Sequence, residues 1–387
     1  MPGKYTATAT GDGAVLCARC QVSEVTLMVR TDNICRECFM NYVGTKVAKK
    51  MASYRVRNAS LEQPRTILLP LSFGVSSVTL LHILDRQIHT QLERTSRAGY
   101  SIHVLMVDES ILNGGSHETE RECLLKEKYP RYEYSVIPLE DAFDSNTYPD
   151  IELPKLRMVD AESSALSNKR KLQGLLASLP SASSRSDIAN VLRARLVVSF
   201  GRHHGCHGIV WGDSTTRLAE KALSETAKGR GFSLPWQTAD GPSPQGITFQ
   251  YPLRDLLKKE LVTYSTLTSP SLTPLITPGA SPAQVSASSR DITIDDLMSQ
   301  YFESVEQNYP SIVANVVRTS SRLDAPTLSD GFQTCSVCAL PVVNGTQGLH
   351  GWGGDQAEKL DAYVGSAASS VNGKILCYGC ARSTLNS

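Results

Sequence analysis

Apolar runs of strand length alternate with amphipathic runs of helix length through the middle of the chain. RTILLPL at 65–71 predicts a strand, and VTLLHILDRQI at 78–88 predicts a helix directly after it. The alternation continues through SIHVLMVDES, HETERECLLKEKY and YEYSVIPL, which end at residue 139. Strand, helix and strand at this spacing predict parallel βαβ units and therefore an α/β fold.

The same alternation returns further along the chain. SDIANVLRARLVVSFGRHH at 186–204 places apolar residues on one helical face. HGIVWGDS at 207–214 predicts a short central strand with a polar loop at its carboxyl end, and a helix-like run follows it. The Ser-, Thr- and Pro-rich stretch at 263–289 has no period and predicts a long mobile loop.

Charge and hydropathy limit the function classes. The 387 residues include 39 basic and 38 acidic side chains, and this balance neither favours nor excludes a nucleic-acid partner. The N-terminus MPGKYTATATGDG lacks the apolar segment of a secretion signal, and the chain has no apolar run long enough to cross a bilayer. We therefore expect a cytoplasmic protein without membrane contact.

Eight of the ten cysteines form four CxxC pairs. Two pairs lie near each end of the chain, and two pairs together supply the four thiolates of a tetrahedral zinc site. The predicted ligands of two structural zinc ions are Cys17, Cys20, Cys35 and Cys38, then Cys335, Cys338, Cys377 and Cys380. Cys123 and Cys206 stand alone and are expected to be buried thiols.

Composition divides the chain into three segments. We expect an N-terminal zinc module with a basic helix at 1–60, an α/β domain at 61–325 and a C-terminal zinc module at 326–387.

The turn between the first strand and helix of the α/β segment reads SFGVSS. Gly74 can supply an unusual backbone angle, and the serine hydroxyls can cap the helix or bind phosphate. Taken alone, such a turn is typical of an ordinary helix N-terminus. Its order also resembles the PP-loop of the N-type ATP pyrophosphatases, which reads SGGxDS.

Several further segments make the resemblance more specific. CARCQ (17–21), CRECF (35–39), ILLPLSFGVSSVTLLHIL (67–84), GDSTTRLAEKAL (212–223) and ILCYGC (375–380) together resemble the cytoplasmic tRNA 2-thiolation protein 2 family. The resemblance implies a degenerate PP-loop α/β sheet flanked by zinc modules. It also implies a non-catalytic subunit of the heterodimer that 2-thiolates the wobble uridine (U34) of tRNA-Lys, tRNA-Glu and tRNA-Gln, with sulfur from a thiocarboxylated ubiquitin-like carrier.

The chain departs from its catalytic relatives at the positions that carry chemistry. In the loop formed by Ser72, Phe73, Gly74, Ser76 and Ser77, phenylalanine replaces a glycine and Ser76 replaces the aspartate. Thr216 and Arg217 stand where relatives carry two adjacent acids, and SDIANVLRARLVV holds no cysteine for an iron-sulfur cluster. We therefore expect no catalytic residue, no functional ATP site and no iron-sulfur cluster.

Two basic segments are candidate tRNA contacts. The first holds Lys46, Lys49, Lys50, Arg55 and Arg57, and the second is the glycine-containing segment KGRGF with Lys228 and Arg230. A solvated helix explains the first segment equally well. The sequence also leaves open an active ATP-dependent tRNA-adenylating enzyme and a zinc-finger adaptor without an RNA role.

Overall fold

The computed structural model describes residues 15–58, 65–114, 119–151, 153, 166–278, 292–325, 333–342, 369–371 and 374–384. The strands in chain order are β1 Leu27–Val29, β2 Asp32–Ile34, β3 Arg65–Pro70, β4 Tyr100–Asp108, β5 Glu133–Pro138, β6 Gly208–Val210, β7 Gly241–Pro242, β8 Thr248–Gln250, β9 Ser369–Val371 and β10 Lys374–Leu376.

The helices lie between and around these strands. They are α1 Arg36–Lys50, α2 Val75–Thr95, α3 Ser110–Asn113, α4 Thr119–Lys128, α5 Asn168–Ser178, α6 Ala182–His203, α7 Thr215–Ala227, α8 Leu234–Thr238, α9 Lys258–Leu267, α10 Ile294–Asn308, α11 Pro310–Ser320 and α12 Tyr378–Thr384. Among these described helices, none is both long enough and apolar enough to cross a bilayer.

A six-stranded sheet forms the centre of the molecule in the order β5-β4-β3-β6-β8-β7. Its strands pair in parallel except at the β7 edge, where β7 runs antiparallel to β8. Ile67, Leu68 and Leu69 of β3 are all fully buried, because helices cover both faces of a parallel sheet. The predicted α/β parallel sheet and its central GIV strand are confirmed.

Both cysteine-rich segments share a core with this sheet. Phe39 and Val43 of α1 belong to the same buried cluster as Ile67 on one face. Cys335 and Cys380 belong to the cluster that contains Leu68 on the other face. The apolar cores are therefore continuous across both predicted boundaries, and the three-part division remains a prediction about sequence segments.

The mobile loop expected at 263–289 is corrected at its start. Helix α9 continues to Leu267, and Leu272 and Leu275 beyond it are buried. Thr263 and Thr268 suit a helix end here because their hydroxyls donate to carbonyl oxygens four residues earlier, at 3.0 and 2.8 Å. Residues 279–289 lie outside the described residues.

Candidate functional site

The SFGVSS turn lies at the carboxyl edge of the sheet. β3 ends at Pro70, and α2 begins after Gly74, whose extended backbone forms the helix N-cap. The turn that follows the neighbouring strand β6 packs directly against it, since a Cβ on Gly212 would approach the Cα of Ser77 to 2.9 Å. The two turns that differ from the catalytic pattern therefore form one site.

Phe73 has a backbone conformation that favours glycine. Its φ is 55°, in the left-handed region that side chains with a Cβ avoid. Its side chain is only 6 % exposed and packs in the apolar cluster on the α1 side of the sheet. Its carbonyl oxygen accepts a hydrogen bond from the backbone N–H of Thr277 at 2.8 Å. Phe73 therefore serves as a core residue despite its left-handed backbone.

The serines of the turn bond to one another and to the turn backbone. The Ser77 hydroxyl is buried and donates to the carbonyl oxygen of Gly74 at 3.1 Å. The Ser77 hydroxyl oxygen also accepts the backbone N–H of Ser72 at 3.4 Å, and the Ser72 hydroxyl oxygen lies 3.4 Å from it. Ser76 is half-buried. Ser72 and Ser77 thus hold the turn together through local hydrogen bonds, and neither side chain caps α2.

The second turn is also used for packing. Ser214 caps α7 by accepting the backbone N–H of Arg217 at 3.2 Å. Thr216 is fully buried, and its hydroxyl donates to the Glu306 carboxylate at 3.0 Å. Arg217 instead pairs with Glu220 of its own helix at 2.9 Å. Neither of these two positions carries an acidic side chain.

A cavity of about 750 Å³ opens beside both turns and extends to the C-terminal cysteine group. Its wall includes Ser72, Gly212 and Cys338. The indole Nε1 of Trp211 lies buried in this wall without a hydrogen-bond partner among the described residues. The cavity is large enough for a small ligand, but much of its charge is already paired within the protein.

Lys228 and Arg230, the candidate tRNA contacts of the second basic segment, are both buried in the structure. Arg230 is 1 % exposed and forms ion pairs with Asp187 and Glu225. The ammonium group of Lys228 lies 2.7 Å from the carboxylate of Asp295 and 3.3 Å from that of Asp187. Sequence reasoning missed these partners because Asp187 and Asp295 lie far from the basic segment in the chain.

The glycines of this segment serve close packing. A Cβ on Gly229 would come within 2.3 Å of the Tyr378 ring, and Gly229 has a φ of 82°. A Cβ on Gly379 would come within 2.7 Å of the Lys228 carbonyl oxygen. Helix α12 therefore docks onto the KGRGF segment, and the buried cations hold the C-terminal cysteine group against α6 and α7.

The N-terminal basic residues divide into two groups. Lys46 donates to the Asp255 carbonyl oxygen at 2.8 Å, and Lys50 lies 3.7 Å from the Asp255 carboxylate. Lys49, Arg55 and Arg57 are exposed, and no ion pair to them is recorded among the described residues. The second group therefore remains available for a phosphate, whereas the first group contributes to packing of α1.

The two cysteine groups have the geometry of metal sites. In each group, the four Sγ atoms all lie within 4.8 Å of one another. The Cys20 and Cys35 sulfurs are 3.8 Å apart, as are the Cys338 and Cys377 sulfurs. All eight predicted ligands are thus brought together as two groups of four that can each hold a metal ion. Cys206 is buried as expected, but Cys123 is exposed, because it lies on the outer side of α4.

Comparison with known proteins relates this architecture to a family. A family model described as Cytoplasmic tRNA 2-thiolation protein 2 matches residues 293–382. The relative of that name from Phaeosphaeria nodorum is 49 % identical over 386 residues, covering 99 % of this chain and 97 % of the relative. This chain belongs to the cytoplasmic tRNA 2-thiolation protein 2 family. A relative from Neosartorya fischeri is 36 % identical, with 99 % and 98 % of the two chains covered.

Membership in the cytoplasmic tRNA 2-thiolation protein 2 family assigns the chain a role in tRNA 2-thiolation. The expected cytoplasmic location agrees with the family name. Among solved structures, the chain is similar to the U34-tRNA thiolase NcsA from Methanococcus maripaludis with its [4Fe-4S] cluster. The TM-score is 0.55 at 16 % identity, with 85 % of this chain and 93 % of the thiolase covered, and the likeness confirms the PP-loop fold.

Proposed function

We propose that this chain is a non-catalytic subunit of the assembly that 2-thiolates the wobble uridine (U34) of cytosolic tRNA-Lys, tRNA-Glu and tRNA-Gln. In this proposal a catalytic subunit binds the chain as a heterodimer partner, and a thiocarboxylated ubiquitin-like carrier supplies the sulfur. The observation that carries the proposal is Phe73, which is buried in the core at the position where a catalytic loop brings its backbone close to phosphate.

The hydrogen bonds of the turn support this reading. A phosphate loop holds its ligand with free backbone N–H groups at a helix N-terminus. Here the Ser72 N–H is directed to the Ser77 hydroxyl, and the Phe73 carbonyl is bonded to Thr277. A magnesium-bound polyphosphate also needs carboxylate ligands, and the corresponding positions hold Ser76, Thr216 and Arg217.

The lack of cysteines in α6 supports the same proposal. Helix α6 contains no cysteine. The nearby Cys206 is buried and belongs to neither of the two cysteine groups found among the described residues. Burial raises the pKa of the Cys206 thiol to about 11, which keeps it protonated near neutral pH. An iron-sulfur cluster needs several thiolate ligands, so we propose that the chain carries no cluster in this region.

The proposed metal at both cysteine groups is zinc. Four sulfurs placed tetrahedrally at about 2.3 Å from one ion lie roughly 3.8 Å apart. The recorded separations of 3.8 Å in both groups fit this arrangement. A cluster of several irons would sit between the sulfurs and hold them farther apart. Four thiolates leave no open coordination position, so the proposed role of both ions is structural.

A tRNA thiolation assay in cells tests the proposal. The full chain replaces the endogenous family member, and thiolated tRNA is separated on a gel that contains an organomercury compound. Ser76→Ala removes a half-buried hydroxyl at the position of the catalytic aspartate without opening the core. We expect wild-type thiolation with this variant and loss of thiolation when the chain is absent. Loss of thiolation by a stable Ser76→Ala protein would contradict the non-catalytic role.

A further inference from the structure

A second cavity lies away from the SFGVSS turn, between α1 and α2. It has a volume of about 540 Å³, and its walls include Gly44 and Arg55 on one side and Arg86 and Arg94 on the other. We call it the α1–α2 groove. It lies on the side of α1 opposite Lys46 and Lys50, whose side chains turn toward Asp255. The groove is therefore separate from the lysine face that the sequence singles out.

The groove carries positive charge without matching negative charge. Arg55, Arg86 and Arg94 line it, and none of its described lining residues is an acid. Arg86 donates to the hydroxyl of Tyr264 at 3.3 Å, a neutral partner. The two carboxylates of the same helix are engaged elsewhere, since Asp85 accepts from Tyr132 and Glu93 pairs with His89. Unpaired guanidinium groups around a groove attract an anion.

Two buried polar groups in the groove also lack a partner within the described part of the chain. Tyr100 is 1 % exposed, and its hydroxyl makes no hydrogen bond. The Nε2 amide group of Gln87 is likewise buried and unbonded. Because a buried polar group without a partner is destabilising, such groups in a cavity wall indicate a ligand that accepts hydrogen bonds. Both side chains can donate a proton to an oxygen atom.

The arginines are arranged in a row that suits an extended ligand. Arg86, Thr90 and Arg94 are spaced four residues apart on α2, so the two arginines are separated by about 12 Å along the helix axis. Gly44 on the facing helix has open space around its Cβ position, with no atom within 4 Å. The missing side chain keeps the groove wide beside the arginine row.

We propose that the α1–α2 groove binds the phosphodiester backbone of tRNA. Guanidinium groups bind phosphate oxygens through paired N–H donors, and two of them along one helix can contact successive parts of a strand. The Tyr100 hydroxyl and the Gln87 amide supply further donors at the floor of the groove. This inference rests on the proposed function, since it identifies a surface through which the chain contacts its tRNA.

Binding of an unmodified tRNA transcript to the full-length chain tests the groove. Fluorescence anisotropy over a range of salt concentrations gives both the affinity and its salt slope. For the double variant R86Q/R94Q we expect about a tenfold or greater loss of affinity and a salt slope smaller by about 1.5. R318Q is a matched control, because Arg318 is an exposed arginine in the last turn of α11, as Arg94 is in α2. We expect R318Q to bind like the wild type.

A second pair of variants changes the shape of the groove and leaves its charge unchanged. Gly44→Phe places a ring in the open space, whereas Gly44→Ala adds only a methyl group. We expect Gly44→Phe to weaken tRNA binding and Gly44→Ala to keep wild-type affinity, with both proteins folded by circular dichroism. Wild-type tRNA affinity in both R86Q/R94Q and Gly44→Phe would overturn the proposal that the groove binds tRNA, while leaving the proposed function intact.

Competition experiments distinguish the source of the phosphate. Inorganic phosphate and ATP are added separately to the labelled complex, and direct binding of each is measured with the wild type and R86Q/R94Q. Weak competition by either anion alongside arginine-dependent tRNA binding agrees with the proposal. Arginine-dependent binding of ATP with unchanged tRNA affinity would identify a small-anion site and overturn it. A wild-type chain that binds no tRNA would contradict both the groove and the tRNA contact in the proposed function.

Discussion

The backbone N–H of Thr277 donates a hydrogen bond to the carbonyl oxygen of Phe73 at 2.8 Å. This bond ties the turn after β3 to the segment that follows α9, and the Phe73 side chain lies buried beneath it. The turn therefore has the contacts of a core element. Packing explains the role of the turn in this chain, although Phe73 has a left-handed φ of 55° that favours glycine.

Substitution of Phe73 measures these two features separately. Phe73→Ala removes a buried ring and keeps the unfavourable backbone angle, so we expect the free energy of unfolding to fall by about 4 kcal/mol. Phe73→Gly removes the same ring but adopts the left-handed angle easily, so we expect a loss about 1 kcal/mol smaller. Chemical denaturation of both variants provides the measurement. Equal stability of the two would show that the backbone angle carries no cost.

The sequence predicts the sheet well because its signals are local. The apolar run RTILLPL and the short GIV segment are strands in the structure, and each is an apolar run that leads into a polar turn. The sequence also predicts how the four CxxC pairs combine into two groups. Two pairs lie near each end of the chain, so the pairs at one end are the natural partners of each other.

The environment of Arg230 was beyond such reasoning. Its buried partners Asp187 and Glu225 come from α6 and α7, and its neighbour Cys380 comes from α12. A glycine on each side of Arg230 predicts flexibility when only the sequence is considered, whereas tertiary packing against α12 uses those glycines for close approach. The sequence identified Arg55 of the α1–α2 groove as a candidate tRNA contact but missed Arg86 and Arg94, which come from a separate segment.

Loss of Arg230 tests this buried network. Arg230→Ala leaves the carboxylates of Asp187 and Glu225 without their main partner in a buried site. We therefore expect the free energy of unfolding to fall by about 3–5 kcal/mol. Lys258→Ala is the control, because it breaks an exposed ion pair with Glu303 and should change stability by about 0–1 kcal/mol. Denaturant unfolding of both variants provides the comparison. Similar midpoints for Arg230→Ala and the wild type would contradict the network.

The buried imidazole of His82 should make the folded protein less stable in mild acid. Burial, together with the positive charge of Arg86, lowers the pKa of His82 to about 4. In the unfolded chain His82 therefore binds a proton below about pH 6.5, whereas in the folded chain it binds one only below about pH 4. The contribution of neutral His82 to the free energy of unfolding is complete above pH 6.5 and is lost as the pH falls. About 2 kcal/mol of it is lost between pH 7 and pH 5.

The variant His82→Gln isolates this contribution. Glutamine can still bond to the Tyr129 hydroxyl, which lies 3.0 Å from His82 Nδ1, but it does not titrate. We expect the difference in stability between pH 7 and pH 5 to be smaller in this variant than in the wild type, as measured by urea unfolding at both values. An unchanged difference would show that His82 is not the titrating group.

Metal content tests the two cysteine groups. Elemental analysis of the purified full chain should give close to two zinc ions per molecule and no stoichiometric iron. Cys338→Ser removes one ligand from a fully buried group and should lower the content to about one ion. Cys123→Ser changes an exposed cysteine outside both groups and should leave two ions. Stoichiometric iron in the wild type would contradict the zinc assignment.

We propose that this chain supports tRNA thiolation without cleaving ATP itself. The most direct measurement is pyrophosphate release from ATP in the presence of substrate tRNA, with the full chain alone, the catalytic partner alone and the two together. We predict no release above background from the well-folded chain alone, and tRNA-dependent release whenever the catalytic partner is present. Sustained tRNA-dependent release by the isolated chain would contradict the account.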